Sequence, residues 1–505
     1  MRRPVALALV VALAACSSPV APVAEPPPEP GPPEPGPPAE PGGAGSPNVV
    51  FIVADDLGWH DLGAYGNRFH ETPNLDRMAA EGLRFTDGYA ASPICSPSRA
   101  ALMTGQSPAA LGITEHFRGT PPVERWQRLI PPAQRQSLPL STTTVAEVAR
   151  DAGYLTAHMG KWHLGYEGSL PEDHGFEINV GGSGRGLPPT FFYPYLNGTP
   201  ERDILGAPVD PAREGEYLTD RLGAEAVAFL EAHADTTFLL HLAFYSPHVP
   251  IEGKPAVVQK YRAKAATGDY GFENPEYAAM VESIDDNVGR LLDALDRLGL
   301  ADETLVVFLS DNGGLSVEEV PAFAAHTPAT LNGPLRAGKG YLYEGGTRVP
   351  FIAWGPGVRS GTSGVPVTNM DLLSTAADWI GAPVPADVEG VSLLPLMTAG
   401  TPPARDVLTW YFPHYSPQGT RPARSIREGD LKLIERMEFD EPFLYDLAAD
   451  PSETTNLAAE RPADVERLRS RLDAVLERQD APRPTLNPDY SRGAPYPGRW
   501  GTPDS

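Results

Sequence analysis

"NVVFIVADD", residues 48–56, and "TLVVFLSDNGG", residues 304–314, are unbroken apolar runs that stop at acidic or amide side chains. A run of this length without polar alternation suits a strand covered on both faces, as in a parallel sheet between two layers of helices. In open α/β sheets the active crevice lies beyond the carboxyl ends of the strands. Asp55 and Asp56 at one strand end and Asp311 and Asn312 at the other therefore mark a candidate crevice. Two more runs have the same form: "YLTAHMGKWHLG" (154–165) delivers Lys161 and His163, and "FLLHLAFYSPHVP" (238–250) delivers His248. One acidic pair after a strand is commonly a helix cap or turn. Four strand ends that all supply groups of use to one reaction need another explanation.

Asp55, Asp56, Asp311 and Asn312 offer hard oxygen donors without histidine or thiolate, a set that suits Ca²⁺ or Mg²⁺ and makes a poor zinc site. A cation held there would neutralise carboxylates that otherwise repel one another and act as a Lewis acid on an oxyanion substrate.

"CSPSRAALMTG" (95–105) contains one of the two cysteines of the 505-residue chain. Pro97 and Ser98 read as a helix start, which puts Cys95 just before a helix N-terminus, where free amides and the dipole favour an anion. A thiolate nucleophile, as in a cysteine hydrolase or phosphatase, is one reading. The cysteine-phosphatase loop, however, carries arginine six residues after the cysteine; here that position is Ala101, and the arginine is Arg99. A hard cation is also a poor neighbour for a thiolate. An oxygen nucleophile at position 95 would remove the mismatch.

The other cysteine lies in "MRRPVALALVVALAAC", with Arg2 and Arg3, an apolar run over 5–13, and Ala14 and Ala15 before Cys16. This is a secretory signal too short to span as a mature helix. Its "LAAC" end resembles a bacterial lipobox, which implies lipid on Cys16 and a signal peptide over 1–15. Cys95 is then without a disulfide partner. Residues 16–47 are proline-rich and read as a tether of roughly 90 Å at ~3.1 Å per residue. The catalytic domain is expected over 48–404. A smaller C-terminal subdomain over 405–480 is marked by strands around the turn at 428–430 and a helix through about 458–478. An extended tail follows over 481–505. The expectation is an exported lipoprotein of the cell envelope, in the periplasm, in the outer membrane or at the cell surface, anchored to a membrane. With 40 basic against 65 acidic residues and a net charge of −25, the chain is a poor partner for nucleic acid. Positive charge for an anionic substrate must be concentrated in the pocket.

"CSPSRAALMTG" matches the type I sulfatase signature at every specified position. "ADDLG", "TPNLDRMAAEGLRFTDGYA", "GKWHLG", "SPHVP", "SDNGG", "GKGYLYEGGTRVP", "IREGDLKLI" and "LYDLAADPSETTNLA" follow the same family in order. The chain thus resembles the formylglycine-dependent, arylsulfatase-like sulfatases of the alkaline phosphatase superfamily. The resemblance implies an α/β fold: an alkaline-phosphatase-like α/β/α sandwich with a large mixed sheet and a smaller C-terminal antiparallel sheet. It implies that Cys95 is oxidised to formylglycine by a maturation enzyme. One Ca²⁺ per chain would be held by Asp55, Asp56, Asp311, Asn312 and modified Cys95. Arg99, Lys161 and Lys339 would hold sulfate and the formylglycine hydrate. His248 with Lys339 would help the leaving oxygen depart, and His163 would assist release of sulfate from the hemiacetal. Two positions depart from the pattern: His60, where the family more often has a small residue, and Ala337, where glycine is common.

Other residues have plainer readings. His241 is expected as a satisfied core histidine. Thr72, Pro73 and Gly82 read as the cap, first turn and stop of a helix, and Glu344, Gly345 and Gly346 as turn-forming. The aromatic stretch "WYFPHYSPQG" (410–419) is either a packed strand or, through His414, part of the leaving-group side of the pocket. The acidic surface predicts action on a terminal sulfate of a saccharide or on a small aryl sulfate, with preference falling as flanking sulfates are added. Two alternatives stand beside a sulfatase: a phosphate or phosphonate ester hydrolase on the same scaffold, and a lipoprotein that binds sulfated glycans without turnover.

Overall fold

The computed structural model describes residues 47–117, 122–198, 200–319 and 321–492. The expected signal peptide, Cys16 and the tether up to residue 46 lie outside the described residues, as does the chain from 493 onward. Eight strands form the main sheet: β1 (Asn48–Ala54), β2 (Leu83–Phe85), β3 (Leu155–Gly160), β4 (Ile178–Val180), β5 (Phe238–Ala243), β6 (Thr304–Ser310), β7 (Phe351–Trp354) and β8 (Gly361–Ser363). Their spatial order is β8-β2-β7-β6-β1-β5-β3-β4. β1 lies at the centre, parallel to both neighbours, with Val50 opposite Leu240 on one side and Val306 on the other. Only β7 runs antiparallel to its neighbours, so the sheet is mixed.

Seven helices matter to the architecture: α1 (Pro73–Glu81), α2 (Cys95–Thr104), α3 (Val145–Asp151), α4 (Leu218–Ala232), α5 (Pro275–Leu298), α6 (Asp371–Ile380) and α7 (Pro462–Arg478). Successive β1 side chains point to opposite faces. Val50 and Ile52 pack with Leu75 and Met78 of α1, Leu222 of α4 and Ile284 of α5. Val49, Phe51 and Val53 pack with Leu102 of α2, Val145 of α3 and Leu373 of α6. This is why β1 has no polar alternation: both of its faces are core. α5 is the longest of these helices and has complete end signals. The Asn274 side chain accepts from the Tyr277 amide, Pro275 opens the first turn, and Gly299 closes the helix at φ 73°.

The second sheet is antiparallel, β9 (Val407–Phe412), β10 (Ala423–Glu428), β11 (Leu431–Arg436) and β12 (Glu441–Asp446), in that order. Its two faces again follow the period of two. Tyr411, Ile426 and Leu433 pack on Leu468 and Leu472 of α7. Leu408, Trp410 and Phe412 pack on Tyr89, Ile94 and the Tyr341–Tyr343 segment of the large domain. The C-terminal sheet therefore braces the loop that carries Lys339.

Several local expectations shift. α2 begins at Cys95 itself, so Pro97 is its third residue and Cys95 is the first helical one. Thr72 sits at the cap position of α1 without capping its amides; its hydroxyl accepts from Gly63 N and donates to Asp76 Oδ1. Gly82 stops α1 in an extended conformation, not a left-handed one, and glycine is required there by packing, since a Cβ would lie 2.2 Å from the Ala353 carbonyl oxygen. α7 starts at Pro462, later than the expected start near 458, with the proline in its first turn. The tail is docked where described: Thr485 and Leu486 pair with Ile130 and Leu129, and Asn487 donates to the Glu124 and Gln127 carbonyls.

Candidate active site

The four strand ends converge. β1 delivers Asp55 and Asp56, β6 delivers Asp311 and Asn312, β3 delivers Lys161 and His163, and the turn after β5 delivers His248. α2 enters the same crevice with Cys95 and Arg99, and a loop before Tyr343 adds Lys339. All ten side chains are buried. Asp56 and His163 take left-handed backbone, φ 65° and 57°. Such conformations cost about 1 kcal/mol or more each, and surrounding structure must impose them. Here the Asp56 amide is held by Asp311 Oδ1 at 3.2 Å and the His163 amide by the Ser183 carbonyl at 3.0 Å.

Each carboxylate faces its own cation. Lys161 Nζ lies 2.8 and 2.7 Å from the two Asp55 oxygens, Lys339 Nζ 2.7 Å from Asp56 Oδ2, and Arg99 Nε 2.7 Å from Asp311 Oδ2. Three basic side chains thus stand opposite three acidic ones. The balance is uneven. Burial pushes Asp55 up to about 8 despite Lys161, with the Asp311 charge adding to the rise. Asp56 is buried too, but Lys339 and then His248 hold it down to about 2.

Cys95 Sγ is 3.6 Å from Asp55 Oδ1. Donor atoms of Asp55, Asp56, Cys95 and His248 lie within 4.8 Å of one another, a group able to hold a metal ion. Asn312 donates its amide to Asp56 Oδ1 at 2.7 Å and to the Gly313 carbonyl at 3.0 Å, which leaves Asn312 Oδ1 buried without a partner. An orphaned buried oxygen costs about 1–3 kcal/mol. Together with three carboxylates it is the donor set of a hard divalent cation, so the residues fit the metal that the sequence implied.

His248 Nδ1 lies 2.8 Å from the Val249 carbonyl, which only accepts, so Nδ1 carries the proton and Nε2 accepts from Lys339 Nζ at 2.9 Å. His163 Nδ1 is buried and unpartnered. Burial, then the charges of Lys161 and His116, push its ionisation well below the usual histidine range, so His163 is neutral.

The sequence reading missed the wall around His163. Phe117 stands edge-on to its ring at 6.3 Å, and the His116 ring is centred 6.5 Å away. His116 Nδ1 is 2.7 Å from Glu115 Oε1, and Gln134 Oε1 accepts from the Thr114 and Glu115 amides. Two adjacent titratable residues, Glu115 and His116, on the segment between α2 and α3 were the signal available. His414 is buried behind this wall, with Nε2 2.7 Å from Thr114 Oγ1 and its ring against Phe412. His241 is a core residue whose Nδ1 meets His158 Nδ1 at 2.9 Å. Glu344 is a buried ion-pair partner: Lys432 and Arg348 face it, and Tyr89 donates to it. Of the two departures from the family pattern, Ala337 occupies left-handed backbone at φ 59°, the conformation for which glycine is usual. His60 bonds the Tyr65 carbonyl and stacks on Trp59.

Residues 47–382 match the family model described as Sulfatase, and residues 337–481 match that of the N-sulphoglucosamine sulphohydrolase C-terminal region. The chain belongs to the type I sulfatase family. It is a sulfuric ester hydrolase. It is 34% identical over 456 residues to arylsulfatase A of Homo sapiens, covering 81% of this chain and 83% of that one. It is 31% identical over 512 residues to a sulfatase of Formosa agariphila, covering 86% and 90%. Among solved structures, Ps i-CgsB superposes with a TM-score of 0.69 at 28% identity, covering 85% of this chain and 93% of that one, and it has also been solved in complex with k-i-k-neocarrahexaose.

Proposed function

We propose that this sulfatase hydrolyses a sulfate monoester of a saccharide or small aryl alcohol, using formylglycine made from Cys95 and one Ca²⁺. The observation that carries the reading is the meeting of Cys95 with three cation–carboxylate pairs and an orphaned amide oxygen in one buried crevice. Asp55, Asp56, Asp311, Asn312 and residue 95 would hold the cation. When present, formylglycine supplies an oxygen nucleophile through its hydrate, and Ca²⁺ supplies Lewis acidity and charge neutralisation.

The remaining work falls to side chains of the chain itself. Arg99, Lys161 and Lys339 are charge-assisted donors able to orient a tetrahedral oxyanion and stabilise its developing charge. Lys339 and His248 share a proton across 2.9 Å, where a departing alkoxide or phenoxide can take it. Neutral His163 is able to accept a proton when sulfate is released, because burial keeps the ring uncharged and so leaves one of its two nitrogens without a proton. The crevice is buried, so each of these interactions acts with little competition from water.

A saccharide as leaving group is supported by the complex of the structural relative with k-i-k-neocarrahexaose. The test is mass spectrometry of the tryptic peptide 85–99 alongside turnover of p-nitrophenyl sulfate. The expected result is an aldehyde in place of the thiol in active preparations. Full activity with only cysteine at position 95 would overturn the nucleophile. Comparing p-nitrophenyl sulfate with p-nitrophenyl phosphate separates a sulfatase from a phosphate or phosphonate ester hydrolase, and unmodified cysteine at position 95 with no turnover of either would favour a binding lipoprotein.

Residues 1–16 carry the further proposal of export and lipidation on Cys16, with a membrane anchor in the cell envelope. Labelled palmitate should enter the wild type and not Cys16→Ala.

A further inference from the structure

Resting on the proposed function, we infer that the cleft beside His163 and His248 receives the leaving sugar and that Arg185 in it recognises a second anionic group, carboxylate or sulfate, on that sugar. The cleft has a volume of about 880 Å³ and is lined by Arg185, Gly186, Phe192, Pro250, Phe323 and His326, among others. Its link to the chemistry is direct on both sides. A Cβ built on Gly186 would lie 2.6 Å from His163 Cε1 and 2.8 Å from Nε2, so the Gly186 backbone lies against the face of that ring. Pro250 follows His248 by two residues, and His248 is bonded to the intervening Val249 carbonyl. A sulfate held by Arg99, Lys161 and Lys339 would therefore direct its ester oxygen towards this opening.

The charges lining the cleft are not equally free. Glu276 is bonded to Arg262 at 2.9 Å and to the Gly253 amide at 3.3 Å. Glu252 Oε2 accepts from Thr190 Oγ1 at 2.8 Å and from the Phe191 amide at 2.9 Å, which ties it to the wall. Arg185 is exposed, and among the described residues its guanidinium has no hydrogen-bond or ion-pair partner. Arg262, by contrast, is committed to Glu276 of the cleft wall at 2.9 Å. On a chain of net charge −25, an unpaired cation one residue from the His163 contact is a specific feature of the rim.

A platform for a sugar face lies next to it. Tyr166 is 62% exposed, and a Cβ built on Gly184 would lie 2.5 Å from Tyr166 Cδ1, so this ring covers the backbone just before Arg185. An amphipathic ring beside an unpaired guanidinium matches an anionic sugar: the apolar face stacks and the charged substituent meets a planar donor fork. One cation also limits the preference. A second anion on the same ring is favoured, and anions on more distant sugars meet the acidic surface.

The test uses the full chain and its Arg185→Ala and Arg185→Lys variants on four substrates. These are p-nitrophenyl sulfate, a monosulfated hexosamine, the same hexosamine with a second sulfate, and a monosulfated uronic acid. The wild type should prefer one of the two doubly anionic sugars over the monosulfated one. Arg185→Ala should raise KM for that sugar about tenfold, as loss of a charge-assisted hydrogen bond predicts, leave kcat and p-nitrophenyl sulfate turnover unchanged, and Arg185→Lys should restore part of the preference. Which doubly anionic sugar responds tells sulfate from carboxylate. Equal kcat/KM on all sugars in wild type and variant, with p-nitrophenyl sulfate still cleaved, would overturn the assignment of Arg185 alone. Loss of cleavage of every sulfate ester by aldehyde-bearing wild type would instead overturn the proposed function.

Discussion

Lys432→Met tests whether the C-terminal sheet holds the active-site loop by charge. Lys432 is fully buried on β11, 2.7 Å from Glu344 Oε1 and 3.4 Å from Glu453 Oε1, with its ammonium over the Trp410 ring at 5.4 Å. Glu344 belongs to the short segment that follows Lys339, so the triad joins the two sheets. Burial opposes ionisation of Glu344, but Lys432, Arg348 and Arg427 together hold it down to about 2. Burial and then the Glu344 charge push Glu453 up to about 7 despite Lys432. Removing one partner of a buried pair costs about 3–5 kcal/mol. The lower end applies here at pH 7, because Arg348 remains 3.4 Å from Glu344 and Glu453 is able to take a proton.

The pH dependence has a definite sign. A carboxyl whose folded pKa lies above its unfolded value contributes stability in full below the unfolded value, and the contribution is lost as pH rises through the folded one. For Glu453 that window runs from about 4.5 to about 7 in the wild type and extends higher once Lys432 is gone. The penalty of Lys432→Met is therefore expected to be larger at pH 8 than at pH 5.5. Urea unfolding followed by tryptophan fluorescence at both pH values measures it, with the double variant Lys432→Met/Glu453→Gln expected to recover part of the loss at pH 8. A single variant as stable as wild type at pH 8, or a penalty equal at the two pH values, would refute the reasoning.

Other expected outcomes follow from the site. Cys95→Ala should abolish turnover while circular dichroism and the unfolding midpoint stay near wild type, because a small side chain is removed; a collapsed fold would make residue 95 structural. Asp311→Ala should lower both activity and thermal stability, and the wild type should gain about 2.7 kcal/mol from Ca²⁺ at a hundredfold excess over Kd; stoichiometric zinc essential for turnover would contradict the oxygen donor set. His414→Ala should raise KM for a sulfated sugar more than for p-nitrophenyl sulfate, because it releases Thr114 and with it the wall that carries His116; equal effects on both would leave His414 a structural residue. The acid limb of kcat should lie below the usual histidine range, since burial depresses His163; a limb within the usual histidine range that persists in His163→Gln would contradict the assignment.

Much of this molecule is legible in its sequence because periodicity and strand ends are local properties. β1 and β6 are apolar on both faces, so their burial between two layers and a candidate crevice beyond Asp56 and Asn312 follow from the residue pattern alone, whereas their pairing with each other is seen only in the sheet. The ordered motifs from "ADDLG" to "LYDLAADPSETTNLA" identify the family for the same reason: each is a short segment whose chemistry is carried by adjacent residues. What the sequence left open depends on contacts between residues far apart in the chain. The pairing of Lys161, Lys339 and Arg99 with separate carboxylates, the Lys432 triad that braces the Lys339 loop, and the orphaned Asn312 oxygen arise only when several strand ends and a second sheet meet. Arg185 reads in the sequence as one more surface arginine. It becomes a candidate recognition residue only because the fold lays Gly186 against His163 and ties neighbouring acids to other partners, leaving the Arg185 guanidinium unpaired among the described residues.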